Sequence, residues 1–96
     1  MFIIALTYKK EMQEIERFLD EHIKFLDEQY SQNRFIFSGR KNPRTGGVIL
    51  AHNATRAEVE ELIKLDPFYQ HALADYEITE VIPTKYAKEF AYFVEK

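Results

Sequence analysis

Cysteine is absent from the 96 residues, as is tryptophan, and glycine and proline number only three each. Without cysteine there is no disulfide framework, no thiol nucleophile and no Cys-ligated zinc site, which fits a reducing compartment. No apolar run approaches the roughly 20 residues of a membrane-spanning helix. In the opening Met1–Lys10 segment the charge follows the apolar stretch, the reverse of a secretory leader. The expected localisation is cytoplasmic. A basic excess is missing too: 13 Lys and Arg stand against 16 Asp and Glu, and the signs are interspersed. That pattern offers no field for nucleic acid and no polybasic anchor for acidic lipid. Neither a Gly-rich phosphate loop nor a dinucleotide fingerprint occurs, so no organic cofactor is expected.

What is abundant is core material. Apolar residues make up 46% of the chain and aromatic residues 15%, the latter as eight Phe and six Tyr. This is a globular composition, and the length suits one domain over residues 1–96. Its core is expected over residues 2–86, followed by a C-terminal tail, residues 87–96, that carries Phe90, Tyr92 and Phe93.

Phe2–Tyr8 is short, β-branched and aromatic, and reads as a buried strand. From Glu11 to about Gln32 the period changes. Ile15, Phe18, Leu19, His22, Phe25, Leu26 and Gln29 recur at steps of three and four, predicting an amphipathic helix. Asn33 is a natural stop, because Asn tolerates the left-handed turn at a helix end. Arg34–Ser38 returns to strand character, and the Gly, Pro and Asn content of Gly39–Gly47 predicts a hairpin loop before a third strand, Val48–His52. Thr55-Arg56-Ala57-Glu58 matches a capping box and opens a helix to about Leu65. Asp66-Pro67 starts a shorter helical turn, with Asp66 suited to the N-cap and Pro67 to the first helical position. Tyr76–Ile82 alternates as a last strand, stopped by Pro83.

The order β-α-β-β-α-β predicts an α+β, ferredoxin-like domain: an antiparallel sheet with its helices on one face. Strict alternation would set Phe2, Ile4 and Leu6 opposite Ile3, Ala5 and Thr7. It would set Phe35 and Phe37 opposite Ile36 and Ser38, and Val48 and Leu50 opposite Ile49 and Ala51. Both faces of these strands are largely apolar, unlike a sheet with one face in water. A second copy packed against the open sheet face about a two-fold axis is the economical cover, predicting a homodimer. The aromatic tail is a candidate to extend that contact.

Three stretches carry a family resemblance: His22-Ile23-Lys24-Phe25-Leu26 on the first helix; Ser38-Gly39 with Gly46-Gly47-Val48 across the hairpin; and Asp66-Pro67-Phe68, then Ala72, before a strand ending in Ile82-Pro83. In this order and spacing, over about residues 2–86, the chain resembles the YciI-like (YCII-related) family. The resemblance implies a dimeric α/β barrel. It also implies an active-site pair of helical His and Asp-Pro Asp, here His22 and Asp66, with Ser38 as a neighbour. One relative is a dehydrochlorinase acting on a chlorinated hydroxyquinol, which implies proton transfer on a small cyclic or phenolic compound. Arg40 departs from the family, which often has Pro after Ser38-Gly39.

Each candidate also has a plainer role. His22 lies on the apolar stripe, where a ring must be hydrogen-bonded whether or not it exchanges protons. Asp66 is explained by capping alone, although one carboxylate oxygen can cap while the other meets His22. Ser38 suits a ligand hydrogen bond better than nucleophilic attack. Arg40 and Phe68 are candidate substrate contacts; the basic loop of Arg40, Lys41 and Arg44 would steer an anionic substrate if the cleft opens beside it, although it reads first as a solvated loop. Phe68 and Tyr69 read first as packing against the sheet. His52 and His71 are expected at the surface, and no HxH or HxxxH spacing suggests a metal site. Three functions compete: a His22/Asp66 acid-base enzyme, a non-catalytic small-ligand-binding dimer, and an RNA-binding domain of the same strand order. The last needs exposed aromatic residues on the central strands and a basic face. Val48–Ala51 has no aromatic residue, and the chain is acidic.

Overall fold

β-branched and aromatic residues at alternating positions build β1, Phe2–Tyr8, with Phe2, Ile4 and Leu6 buried. In the computed structural model, which describes residues 1–94, β1 is central to a four-stranded sheet of order β2-β3-β1-β4. β2 is Phe35–Arg40, β3 is Gly46–Ala51 and β4 is Ala74–Glu80, and every pairing is antiparallel. Helices α1 (Met12–Arg17), α2 (Leu19–Ser31), α3 (Arg56–Leu62) and α4 (Pro67–Gln70) lie between the strands, and α5 (Ala91–Val94) follows them. This is the ferredoxin-like α+β fold expected.

Local signals placed most element ends. The Thr55 hydroxyl accepts from the Glu58 N–H at 3.2 Å, while the Glu58 carboxylate accepts from the Thr55 N–H at 2.8 Å, completing the capping box. Asn33 follows α2 with φ 58°, the left-handed turn expected of it.

Several boundaries differ. The long first helix is two, broken at Phe18. No proline or glycine sits there; the break coincides with Phe18 stacking on His71, ring centres 4.1 Å apart. The hairpin loop is only Lys41–Thr45, because Gly39 and Arg40 remain paired with Val48 and Gly47. β4 begins at Ala74 rather than Tyr76, carried there by pairing with Tyr8, and α3 gives way to a 3-10 turn at Ile63.

One difference changes the sheet faces. Phe35 opposes Ala51 and Phe37 opposes Leu50, so Ile36 is an extra residue, a β-bulge. Phe35 and Phe37 therefore do not share a face. Phe35 is in the core, and Phe37 is half exposed on the open face beside Leu50 and Ile3. Beyond the bulge, Ser38 pairs with Ile49 and shares its face, the one covered by the helices. The open face is apolar at Phe37, Leu50, Ile3, Val48 and Ala5, but β4 contributes Asp75, Glu77 and Thr79 to it.

A close backbone approach constrains Gly46. A Cβ there would stand 1.8 Å from the Leu6 carbonyl oxygen, on the strand it pairs with. Gly46→Ala is expected to lower unfolding stability by about 1–3 kcal/mol, as other forced insertions into packed structure do. Urea denaturation of the purified variant measures it.

Candidate active site

The site begins at the one-turn helix α4. Asp66, extended at φ −74°, ψ 125°, caps it: Oδ1 accepts from the Phe68 N–H at 3.0 Å. The same oxygen accepts from His22 Nδ1, on α2, at 2.8 Å. The Tyr76 hydroxyl, on β4, donates to Oδ2 at 2.5 Å. One fully buried carboxylate thus ties a helix, a turn and a strand together. Burial at this cost is tolerable only where hydrogen bonds replace the lost water, and here three donors do so.

The imidazole is held on two sides. Asp66 fixes one edge, and the ring lies flat on Phe68, centroids 4.0 Å apart and planes 1° from parallel. Phe68 in turn meets Tyr8 edge-on at 6.1 Å. With a carboxylate accepting at Nδ1, the neutral ring carries its hydrogen there and leaves Nε2 bare. Nε2 has no hydrogen-bond partner among the described residues. Burial, reinforced by the Asp66 charge and hydrogen bond, pushes the Tyr76 phenol well above its ordinary range, so it remains a donor near neutrality.

His22 and Phe68 line a cleft of about 240 Å³ between α2 and the β2–β3 hairpin. Leu19, Ile23 and Leu26 line it from α2, and Leu6 and Ile49 from the sheet. Its polar lining includes Ser38, Arg40, Arg44 and Tyr8. The bulge at Ile36 is what turns Ser38 this way, where its hydroxyl meets the Tyr30 hydroxyl at 2.8 Å. Asp66 does not line the cleft; it stands behind His22. Such an arrangement can move one proton at Nε2 and offer a hydroxyl and cations to a bound compound.

All five residues singled out in the sequence converge here: His22, Ser38, Arg40 and Phe68 on the cleft, Asp66 behind it. One was missed. Tyr76 follows Asp66 by ten residues, a spacing with no periodic signal, and only the pairing of β4 with β1 brings it under the carboxylate. Arg44 read first as part of a solvated loop, with the steering of an anionic substrate as its functional alternative; the short hairpin turns it onto the cleft. His52, expected at the surface, is 3% exposed: it follows β3 into the core and is covered by Phe93 of the tail, 5.4 Å away. His71 is exposed, as expected. Among the described residues no cluster of three or more His, Asp or Glu could hold a metal ion. None of their helices is long and apolar enough to cross a membrane.

A four-stranded antiparallel sheet of order β2-β3-β1-β4 with helices between its strands is the ferredoxin-like α+β fold. The chain belongs to the YCII-related family, whose domain model matches residues 1–83. No curated protein sequence matches it significantly. Among solved structures it is similar to 5-chloro-2-hydroxyhydroquinone dehydrochlorinase (TftG) from Burkholderia phenoliruptrix AC1100, in complex with 2,5-dihydroxybenzoquinone. That match has a TM-score of 0.70 and 15% identity, and covers 93% of this chain and 98% of the other.

Removing the Tyr76 hydroxyl leaves Asp66 Oδ2 buried without its donor. Tyr76→Phe is expected to cost about 1–3 kcal/mol of stability in urea unfolding at neutral pH. The pH dependence has a defined sign. The phenol is raised in the folded state, so its contribution is intact below the unfolded value of about 10 and is lost as pH rises above it. Wild type should therefore destabilise above about pH 10 more steeply than Tyr76→Phe; equal slopes would contradict this.

Proposed function

We propose that the chain is a small-molecule enzyme in which His22 exchanges a proton with a bound cyclic or phenolic compound through Nε2. The observation that carries this is the Asp66–His22 hydrogen bond at 2.8 Å: it commits Nδ1 and leaves Nε2 as the basic atom at the cleft. Asp66 and Tyr76 are positioning residues, since neither reaches the ligand. Ser38, Arg40 and Phe68 contact the compound. The reaction class is lyase or isomerase: Nε2 accepts a proton from carbon or oxygen, and a double bond forms as a leaving group departs or as the proton returns elsewhere. A dehydrochlorinase of the same fold, with a dihydroxybenzoquinone bound, supports both the reaction class and the size of the substrate.

The working assembly in this reading is a homodimer packed through the open sheet face. Phe37 at 50% and Ile3 at 37% exposure flank Leu50 on that face, an apolar row that a second copy would cover. Leu50→Glu places a charge in its middle and is expected to convert a dimer into a monomer in sedimentation velocity. A wild type that sediments as a monomer would contradict the assembly.

A panel of hydroxylated and chlorinated monocyclic compounds, incubated in D2O, tests the chemistry. NMR reads proton exchange, and chloride release reads elimination. Wild type should turn over at least one member, and His22→Gln should lose at least about a hundredfold, the scale of one general acid-base group. Unchanged turnover in His22→Gln would exclude His22 as the base. The second reading, a non-catalytic ligand-binding dimer, draws on the cap bond to Phe68, which by itself accounts for Asp66. It predicts that His22→Gln binds ligand as wild type does and that neither protein turns it over.

A further inference from the structure

Charge along the cleft is unlike charge over the rest of the chain. Acidic residues outnumber basic ones overall, 16 to 13. Yet the described residues lining the cleft include two guanidinium groups, Arg40 and Arg44, and no carboxylate. In a narrow, largely apolar enclosure two like charges raise the potential well beyond its value in open water. Something of opposite sign belongs there.

Arg44 shows the lack most clearly. Its one ion-pair contact is from Nη1 to Glu16 at 3.9 Å, outside hydrogen-bond range, and Glu16 is itself largely exposed. Nε of Arg44 is sealed from water with no acceptor among the described residues. Nε itself is closed off, but the Arg44 side chain is 31% exposed and lines the cleft, where its remaining N–H donors can meet an acceptor. The neighbouring cation, Lys41, is directed elsewhere: its Nζ donates to the Thr7 hydroxyl at 3.2 Å. A planar fork of N–H donors fits a planar carboxylate better than a point charge does.

The volume sets the rest of the ligand. An apolar cavity of about 150 Å³ holds benzene, and drug-sized ligands need about 300 Å³ or more. At about 240 Å³ the cleft fits one ring with one or two polar substituents.

We infer that the cleft takes a small monocyclic carboxylic acid, its carboxylate held by Arg44 with Arg40 at the rim and its ring between the α2 side chains and the sheet. This rests on the cleft being the ligand site proposed above, and it adds the substrate's charge and the residue that selects for it. Arg44 is a specificity-determining residue; His22 takes no part in holding the anion.

The two ideas fail separately. 4-Hydroxybenzoate and its neutral isostere 4-hydroxybenzamide are titrated into 15N-labelled wild type, Arg44→Gln, Arg44→Lys and His22→Gln, reading backbone amides of Gly39, Gly47 and Ile49. In wild type the acid should bind about tenfold or more tightly than the amide, the share of one charge-assisted contact. Arg44→Gln should erase that preference, Arg44→Lys should retain part of it, and His22→Gln should preserve it. The unperturbed remainder of each spectrum reports that the variant is folded. Equal binding of acid and amide by wild type, a preference that survives in Arg44→Gln, or no saturable shift with the acid at millimolar concentration overturns the inference. Acid binding that persists in a protein with no turnover leaves the anion site standing and removes the enzyme.

Discussion

A single buried carboxylate organises this molecule. Asp66 is reached from three elements by donors that could not meet without it: the Phe68 amide that begins α4, His22 on α2 and Tyr76 on β4. Left without these partners it would cost several kcal/mol to bury. With them it fixes the distance between the helix layer and the edge of the sheet, and it orients one imidazole. The stack of His22 on Phe68 follows, because the cap that places Asp66 also places the residue two positions on. Structure and proposed chemistry thus share one set of bonds, and Asp66 serves as cap, anchor and orienting group at once.

The opposite wall of the cleft depends on a defect in the sheet. Ile36 bulges out of the β2–β3 ladder, and the chain beyond it is turned over. Without that extra residue Ser38 would point to the open face and Phe37 to the core. With it, Ser38 faces the cleft and Phe37 adds to the apolar surface at Leu50 and Ile3. One residue of slippage therefore supplies a polar group to the site and a hydrophobic one to the proposed dimer contact, the kind of re-aiming for which bulges recur near functional sites.

Much of this was legible in the sequence where the signal is local. The capping box at Thr55–Glu58, the stop at Asn33 and the Asp66-Pro67 start are chemistry within four residues, and each stands where it was read. The change from a two-residue to a 3.6-residue period located β1 and the first helical stretch, and His22 stood out as a polar ring on an apolar stripe. What escaped is long-range or frame-shifting. A bulge leaves no mark in a run such as Arg-Phe-Ile-Phe-Ser, so Phe35 and Phe37 were placed on one face. Tyr76 reads as an ordinary strand aromatic until the β1–β4 register brings it to Asp66. His52 looked solvent-facing because the tail that covers it lies some forty residues away in sequence. Arg44 was visible as a group for steering an anion, but its Pro- and Gly-bearing loop read first as solvated, because nothing local shows that the hairpin folds onto the cleft.

The central claim is that Asp66 commits Nδ1 of His22 and leaves Nε2 bare at the cleft. Long-range 1H–15N correlation spectra of the imidazole, taken at the alkaline limit where the ring is neutral, read the two nitrogens separately. The account predicts a protonated, pyrrole-like Nδ1 and an unprotonated, pyridine-like Nε2 for His22. A ring carrying its hydrogen on Nε2, or exchanging freely between tautomers, would contradict it and leave Asp66 as a helix cap alone.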